Sequence, residues 1–101
     1  MNTPLKRKIF NAFIGVHILH HAQIEPIYGS WMMDELKRHG YEISYGTLYP
    51  LLHSLQNDGL LKSNEIIIEG RRRILYHITA LGEQTLIELK HFIKELTFEV
   101  L

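Results

Sequence analysis

The sequence predicts a mostly α-helical α+β domain: three helices, a two-stranded β hairpin and a long final helix. Three observations carry that expectation. Apolar residues recur at helical spacing through the first half of the chain. Two β-rich stretches, residues 60–68 and 73–79, flank a Glu69-Gly70 turn, as in a hairpin. Beyond Thr79, the residues Leu86, Leu89, Ile93, Leu96 and Val100 alternate spacings of three and four. That period belongs to a helix lying along another helix.

The first helix is expected over about residues 5–22, with Ile9, Phe10, Phe13, Ile14, Val16 and Leu19 spread over more than one face. An arc that wide implies burial from two directions, one of which a second subunit would supply. Pro26 separates it from a second helix over about residues 28–39, which Gly40 should end in a left-handed conformation. Trp31, Met32 and Met33 read as packing residues of that helix. Ser44 is a good N-cap for a third helix reaching about residue 58, with Leu48, Leu51, Leu52 and Leu55 as its core side. Pro50 leaves two starts open. Either Thr47 is the effective cap and Pro50 lies in the first turn, or the helix begins at Ser44 and bends at the proline. The hairpin follows and must lean on the helices, because an isolated one is marginal in water. Thr79 should cap the last helix. The chain ends on Val100-Leu101 inside that apolar helix, where a trimmed polar tail would have begun.

The chain has 101 residues, which suits one core. Apolar residues make up 46% and charged residues 22%, the balance of a folded chain rather than a disordered one. No apolar run is long enough to cross a bilayer, and the polar, basic residues 1–8 lack an apolar stretch after them, so neither a membrane span nor an export signal is expected. There is no cysteine, which excludes disulfides and thiolate chemistry and fits a cytoplasmic protein.

Lys plus Arg equal Asp plus Glu at 11 each. A neutral total argues mildly against nucleic acid, but the distribution is uneven. Lys6, Arg7 and Lys8 form one basic cluster and Arg71, Arg72 and Arg73 another, whereas Glu83, Glu88, Glu95 and Glu99 lie in the last helix. Three helices, a basic-tipped hairpin and a further helix give the order of a winged helix-turn-helix. In that arrangement the third helix enters the major groove, and the hairpin reaches the backbone or minor groove.

The residues then resemble a known family. Gly46-Thr47-Leu48-Tyr49-Pro50-Leu51-Leu52, Leu55 and Gly59-Leu60-Leu61 are similar to the recognition-helix signature of PadR-like transcriptional regulators. Gly70-Arg71, Arg73, Tyr76-His77-Ile78-Thr79 and Gly82 match that family's wing and the start of its last helix. At the second helix the family often has His-Gly-Tyr where this chain has Tyr28-Gly29-Ser30. The single C-terminal helix resembles the shorter PadR-like subgroup, which implies dimerisation through that helix and the first one.

On this reading residues 1–78 form the DNA-binding winged helix, and residues 79–101 form the dimerisation helix, one unit with the first helix. Ser44, Tyr45, Thr47, Tyr49 and His53 are the candidates to meet bases or phosphates. The plainer alternative is that Tyr49 packs under the wing and Ser44 only caps. Arg71, Arg72 and Arg73 are candidate phosphate or minor-groove contacts, against the alternative of a solvated turn. Phe10, Phe13, Leu86, Leu89, Phe92, Ile93, Leu96 and Val100 are the candidate dimer surface, unless the last helix folds back on its own domain. Phe10, Phe13 and Phe92 would also line an inter-subunit pocket for a small-molecule effector, although a filled core is the simpler expectation.

His17, His20 and His21 are spaced so that two imidazoles can reach one metal ion. No neighbouring carboxylate or thiol completes a site, which would leave His91 or a second subunit to do so, and they are expected as interface or surface residues, with no metal and no cofactor. Enzymatic readings fail on inventory: there is no phosphate loop, no paired-carboxylate motif and no serine with a base partner. The function expected is a homodimeric regulator on a pseudo-palindromic duplex operator, repressing by competition with polymerase and responding to an effector. The alternatives are a winged-helix protein-interaction module without DNA binding, and a metal-responsive sensor using the first-helix histidines.

Overall fold

The computed structural model describes residues 3–101; Met1 and Asn2, the start of the polar N-terminal segment, lie outside them. Helix α1 spans Pro4–Ile24. Thr3 caps it, its hydroxyl accepting from the Lys6 amide at 3.2 Å. The helix runs past its expected end and stops only at Glu25, which is extended (φ −162°, ψ 159°) because Pro26 bars the helical conformation of the residue before it.

Ile27–Tyr28 then forms a short strand, β1, before helix α2 at Gly29–Arg38. Helix α3 covers Tyr45–Asn57. Both helices close in the same way. Gly40 and Gly59 take positive φ of 89° and 78°. The following amides turn back, Tyr41 to the Leu36 carbonyl and Leu60 to the Leu55 carbonyl, which satisfies orphan carbonyls in the last turn. Of the two starts open for α3, the earlier is found. Ser44 is the extended N-cap, without a side-chain cap bond, and Pro50 lies inside the helix. The proline forgoes the bond an amide there would give to the Gly46 carbonyl.

Strands β2 (Leu61–Ile68) and β3 (Arg71–Ile78) pair antiparallel from Leu61 opposite Ile78 to Ile68 opposite Arg71. Glu69 and Gly70 both have positive φ, 52° and 75°, the turn whose twist matches a two-residue hairpin. Two expectations change here. The return strand begins at Arg71, so all three arginines are strand residues. The sheet has three strands, ordered β1-β3-β2, because Ile27 and Tyr28 pair with Tyr76 and Leu75. Two residues are too few to carry a period-two signal.

Helix α4 spans Ala80–Val100. The Thr79 hydroxyl accepts from the Gly82 amide at 3.0 Å and donates to the Gly59 carbonyl. Gly82 lies directly on Leu60, the residue before β2: a Cβ there would overlap the Leu60 carbonyl oxygen and come within 2.7 Å of Ile78 Cγ1.

The core joins Ile14, Ile18 and Leu19 of α1 to Met32, Met33 and Leu36 of α2, Leu48 and Leu52 of α3, Leu61, Tyr76 and Leu86. Leu51 and Leu55 pack at its rim. Trp31 is not a core residue; it is 44% exposed, while Met32 and Met33 on the inner face are buried. Leu86, expected on a dimer surface, is 1% exposed and sits in the chain's own core. No helix among the described residues is long and apolar enough to cross a membrane.

Candidate nucleic-acid interface

The solvent face of α3 follows from its period. Leu48 and Leu52 point into the core, so Tyr45, Tyr49 and His53, one turn apart, face outward with Ser44 and Pro50, while Thr47 is half-buried. The Tyr45 and Tyr49 rings stack with centroids 5.7 Å apart. Tyr49 leans over the start of α2, where its hydroxyl would lie 2.8 Å from any Cβ at Gly29. Residue 29 therefore has to be glycine for that ring to lie where it does. Burial first, and the neighbouring Tyr49 phenol second, hold the Tyr76 hydroxyl above its ordinary pKa at the base of the wing.

The three arginines, read alike from the sequence, differ in the fold. Arg71 is exposed and forms no ion pair among the described residues. Arg72 is also exposed and grips both oxygens of Glu65 across the hairpin at 2.5 and 2.6 Å. That hydrogen bond, with the carboxylate charge, raises the guanidinium pKa further. Arg73 is half-buried. It donates to the Ser30 hydroxyl at 3.1 Å and lies 5.5 Å over the Tyr28 ring, a cation–π distance. Its guanidinium ties wing to α2 rather than standing free.

Tyr28, Ser30, Tyr49, Arg71, Arg72 and Arg73 thus surround one open cleft of about 450 Å³ between the start of α2, α3 and the wing. Ser30 and Tyr28 were missed as site residues. Their only signal was the Tyr28-Gly29-Ser30 segment at a helix start, where backbone amides favour phosphate. The cleft offers hydroxyl donors, exposed guanidinium groups and a helix N-terminus around a concave surface. Such a set suits a phosphodiester backbone beside a groove-reading helix.

A second surface, on α1 and α4, exposes large apolar side chains. Phe10 and Phe13 of α1 and Ile93, Phe92, Leu96 and Val100 of α4 are all exposed, Phe92 by 67% and Leu96 by 55%. Leu89 is half-buried against the core. Where a filled core was the simpler expectation, Phe13 and Phe92 instead line an apolar groove of about 500 Å³ between α1 and α4. Phe10 lies off that groove, edge-on to Tyr41 at 6.2 Å.

The profile of the transcriptional regulator PadR-like family matches residues 18–88 of this chain. The transcriptional regulator Rv3488 of Mycobacterium tuberculosis is 45% identical over 95 residues, spanning 94% of this chain and 89% of that protein. Among solved structures, a PadR-like transcription factor from Bacteroides fragilis superposes with a TM-score of 0.84 at 33% identity, covering 97% of this chain and 96% of that one. A PadR family regulator from Eggerthella lenta gives 0.82 at 28% identity, over 95% and 85% of the two chains. With the winged-helix architecture and the basic cleft already in place, these likenesses make the chain a member of the PadR-like family of DNA-binding transcriptional regulators, and not an enzyme.

Proposed function

We propose that the protein acts in the cytoplasm as a homodimeric repressor on a pseudo-palindromic operator. The outward face of α3 (Ser44, Tyr45, Thr47, Tyr49, His53) reads the major groove, and Arg71 and Arg72 hold the flanking backbone. Arg73 fixes the wing's angle through Ser30 and Tyr28. Residues 1–78 form the reading head; residues 79–101, with α1, join the two copies. A small apolar or aromatic effector seated between α1 and α4 shifts the spacing of the heads.

The observation that carries this reading is the division of the surface. Hydroxyl and guanidinium groups surround the cleft between α2, α3 and the wing, while the largest set of uncovered apolar side chains, wing isoleucines apart, lies along α1 and the far part of α4. Covering such side chains contributes roughly 1.5–3 kcal/mol each, which favours a second copy related by a two-fold axis. Two heads so related would meet half-sites about one helical turn apart.

Selection of bound duplexes from a random pool tests the reading, combined with sedimentation at micromolar protein. Enriched inverted repeats and a two-copy mass are expected. A one-copy mass, or no enrichment at low salt, would refute it and favour a protein-interaction module.

A further inference from the structure

The histidines of α1 gain partners that sequence spacing could not supply. His17 and His21 lie one turn apart on α1, and their rings are stacked with centroids 6.4 Å apart. The end of α2 brings His39 against both, with its ring centroid 5.0 Å from that of His17. Each of the three rings offers a nitrogen, and these nitrogens lie within 4.8 Å of one another. A carboxylate absent from the sequence reading completes the cluster. Glu35 Oε2 lies 3.2 Å from His21 Nε2 and 3.4 Å from His39 Nε2. His20, the other member of the sequence trio, lies outside this set and lines the α1–α4 groove.

We propose that His17, His21, His39 and Glu35 form a binding site for a borderline divalent transition-metal ion of the Zn²⁺ type, joining α1 to the end of α2.

The spacing supports this assignment. Donors at about 2.0–2.1 Å from a tetrahedral Zn²⁺ are about 3.3–3.4 Å apart along each edge, and the two Glu35 contacts already have that separation. The His17 nitrogen lies within 4.8 Å of those of His21 and His39, and closing that separation to the length of an edge is the step that metal binding would require. The carboxylate is prepared for one-oxygen ligation: Arg38 donates to Oε1 at 2.9 Å, leaving Oε2 towards the rings. An outer partner of this kind orients a ligating carboxylate. Glu35 is the buried charged residue of the core, and its side chain is 11% exposed. Its placement there has a reason if a cation shares it.

Three nitrogens and one carboxylate exclude hard cations such as Mg²⁺ and Ca²⁺, which take oxygen ligands, and they suit Zn²⁺, Co²⁺ or Ni²⁺.

The test is titration of the tag-free full chain with Co²⁺, followed by visible d–d absorption and then by displacement with Zn²⁺. One ion per chain, with the intense bands of a four-coordinate site, is expected. His39→Gln, at a half-exposed position that leaves the core untouched, and His17→Gln should each weaken Zn²⁺ by at least about ten-fold. His20→Gln should leave it unchanged. Absence of d–d bands together with loss of Zn²⁺ on dialysis would overturn the site. So would His39→Gln binding as wild type, or His20→Gln losing the ion as fully as His17→Gln.

Discussion

Salt dependence can separate the three arginines of the wing. Each phosphate neutralised on duplex DNA contributes about −0.9 to the slope of log affinity against log salt. Arg71 and Arg72 are exposed at the wing, whereas Arg73 is held by Ser30 and Tyr28. Replacing Arg71 and Arg72 by Ala should therefore make the slope about 1.8 less steep. Over a four-fold salt range, from about 50 to about 200 mM, wild-type affinity should then fall about twelve-fold more than that of the variant. Glu65→Gln removes the carboxylate that Arg72 must leave to meet a phosphate, so binding should tighten modestly with the slope retained. Arg73→Ala should weaken binding with little change in slope, because what it loses is the wing's attachment. Fluorescence anisotropy with a selected operator gives all four slopes. An unchanged slope in the natively folded Arg71→Ala/Arg72→Ala protein would refute the phosphate role. A change of about 1.8 from Arg73→Ala alone would exchange the two assignments.

The fold invites three further perturbations. Gly82→Ala drives a methyl group into the Leu60 carbonyl and Ile78. Overpacking of this kind costs about 1–3 kcal/mol, so the melting temperature by circular dichroism should fall by at least about 5 °C; an unshifted melt would mean α4 is not seated on Leu60. Glu69→Asn keeps the left-handed φ of 52° and creates the Asn-Gly pair that this turn favours. It should raise the melting temperature, because Asn enters the left-handed region more readily than Glu, and a lower melting temperature would contradict the turn geometry. Leu96→Glu changes a side chain that is exposed in the single chain. The helical signal should survive while sedimentation shifts from two copies to one, and a persistent two-copy mass would place the interface elsewhere.

Local chemistry made much of this fold readable. Gly40 and Gly59 end helices because the φ of 89° and 78° found there excludes most other residues. Thr79 caps α4 through its own side chain, and Glu69-Gly70 has the length and glycine of a hairpin turn. Relations across the fold were not readable. The strand Ile27–Tyr28 exists only because β3 lies beside it. A period of 3.5 marks a helix–helix seam without saying whose helix lies opposite. Leu86 thus faces its own core, while Phe92 and Leu96 farther along face solvent. The same limit separated Arg73 from its neighbours, since Ser30 lies 43 residues away. It also hid Glu35 and His39 from the α1 histidines.

How an occupant of the α1–α4 groove would reach the DNA-facing surface follows from where α4 is fixed. Its first turn is pinned, with Thr79 bonded to the Gly59 carbonyl and Gly82 pressed on Leu60. Its far end has no buried residue beyond Leu86. Helix α1, in contrast, packs against α2, α3, β3 and α4, so it moves with the reading head. On the proposed reading, filling the groove should therefore tilt α4 about its first turn rather than displace α1. A helix of this length extends about 30 Å, so a tilt of about 5° moves its far end by about 2.6 Å. In the proposed dimer each protomer contributes such a tilt, and the separation of the two heads changes by several ångströms. The lack of cysteine makes this measurable, because Asn57→Cys at the end of α3 gives one spin label per chain. Anilinonaphthalene sulfonate is a suitable probe, with an apolar body for the groove and a sulfonate for Lys90 at its edge. Saturating probe should shift the label–label distance by more than about 2 Å. Binding of the probe, seen as fluorescence enhancement, without any shift would mean that the groove and the reading heads are not mechanically linked.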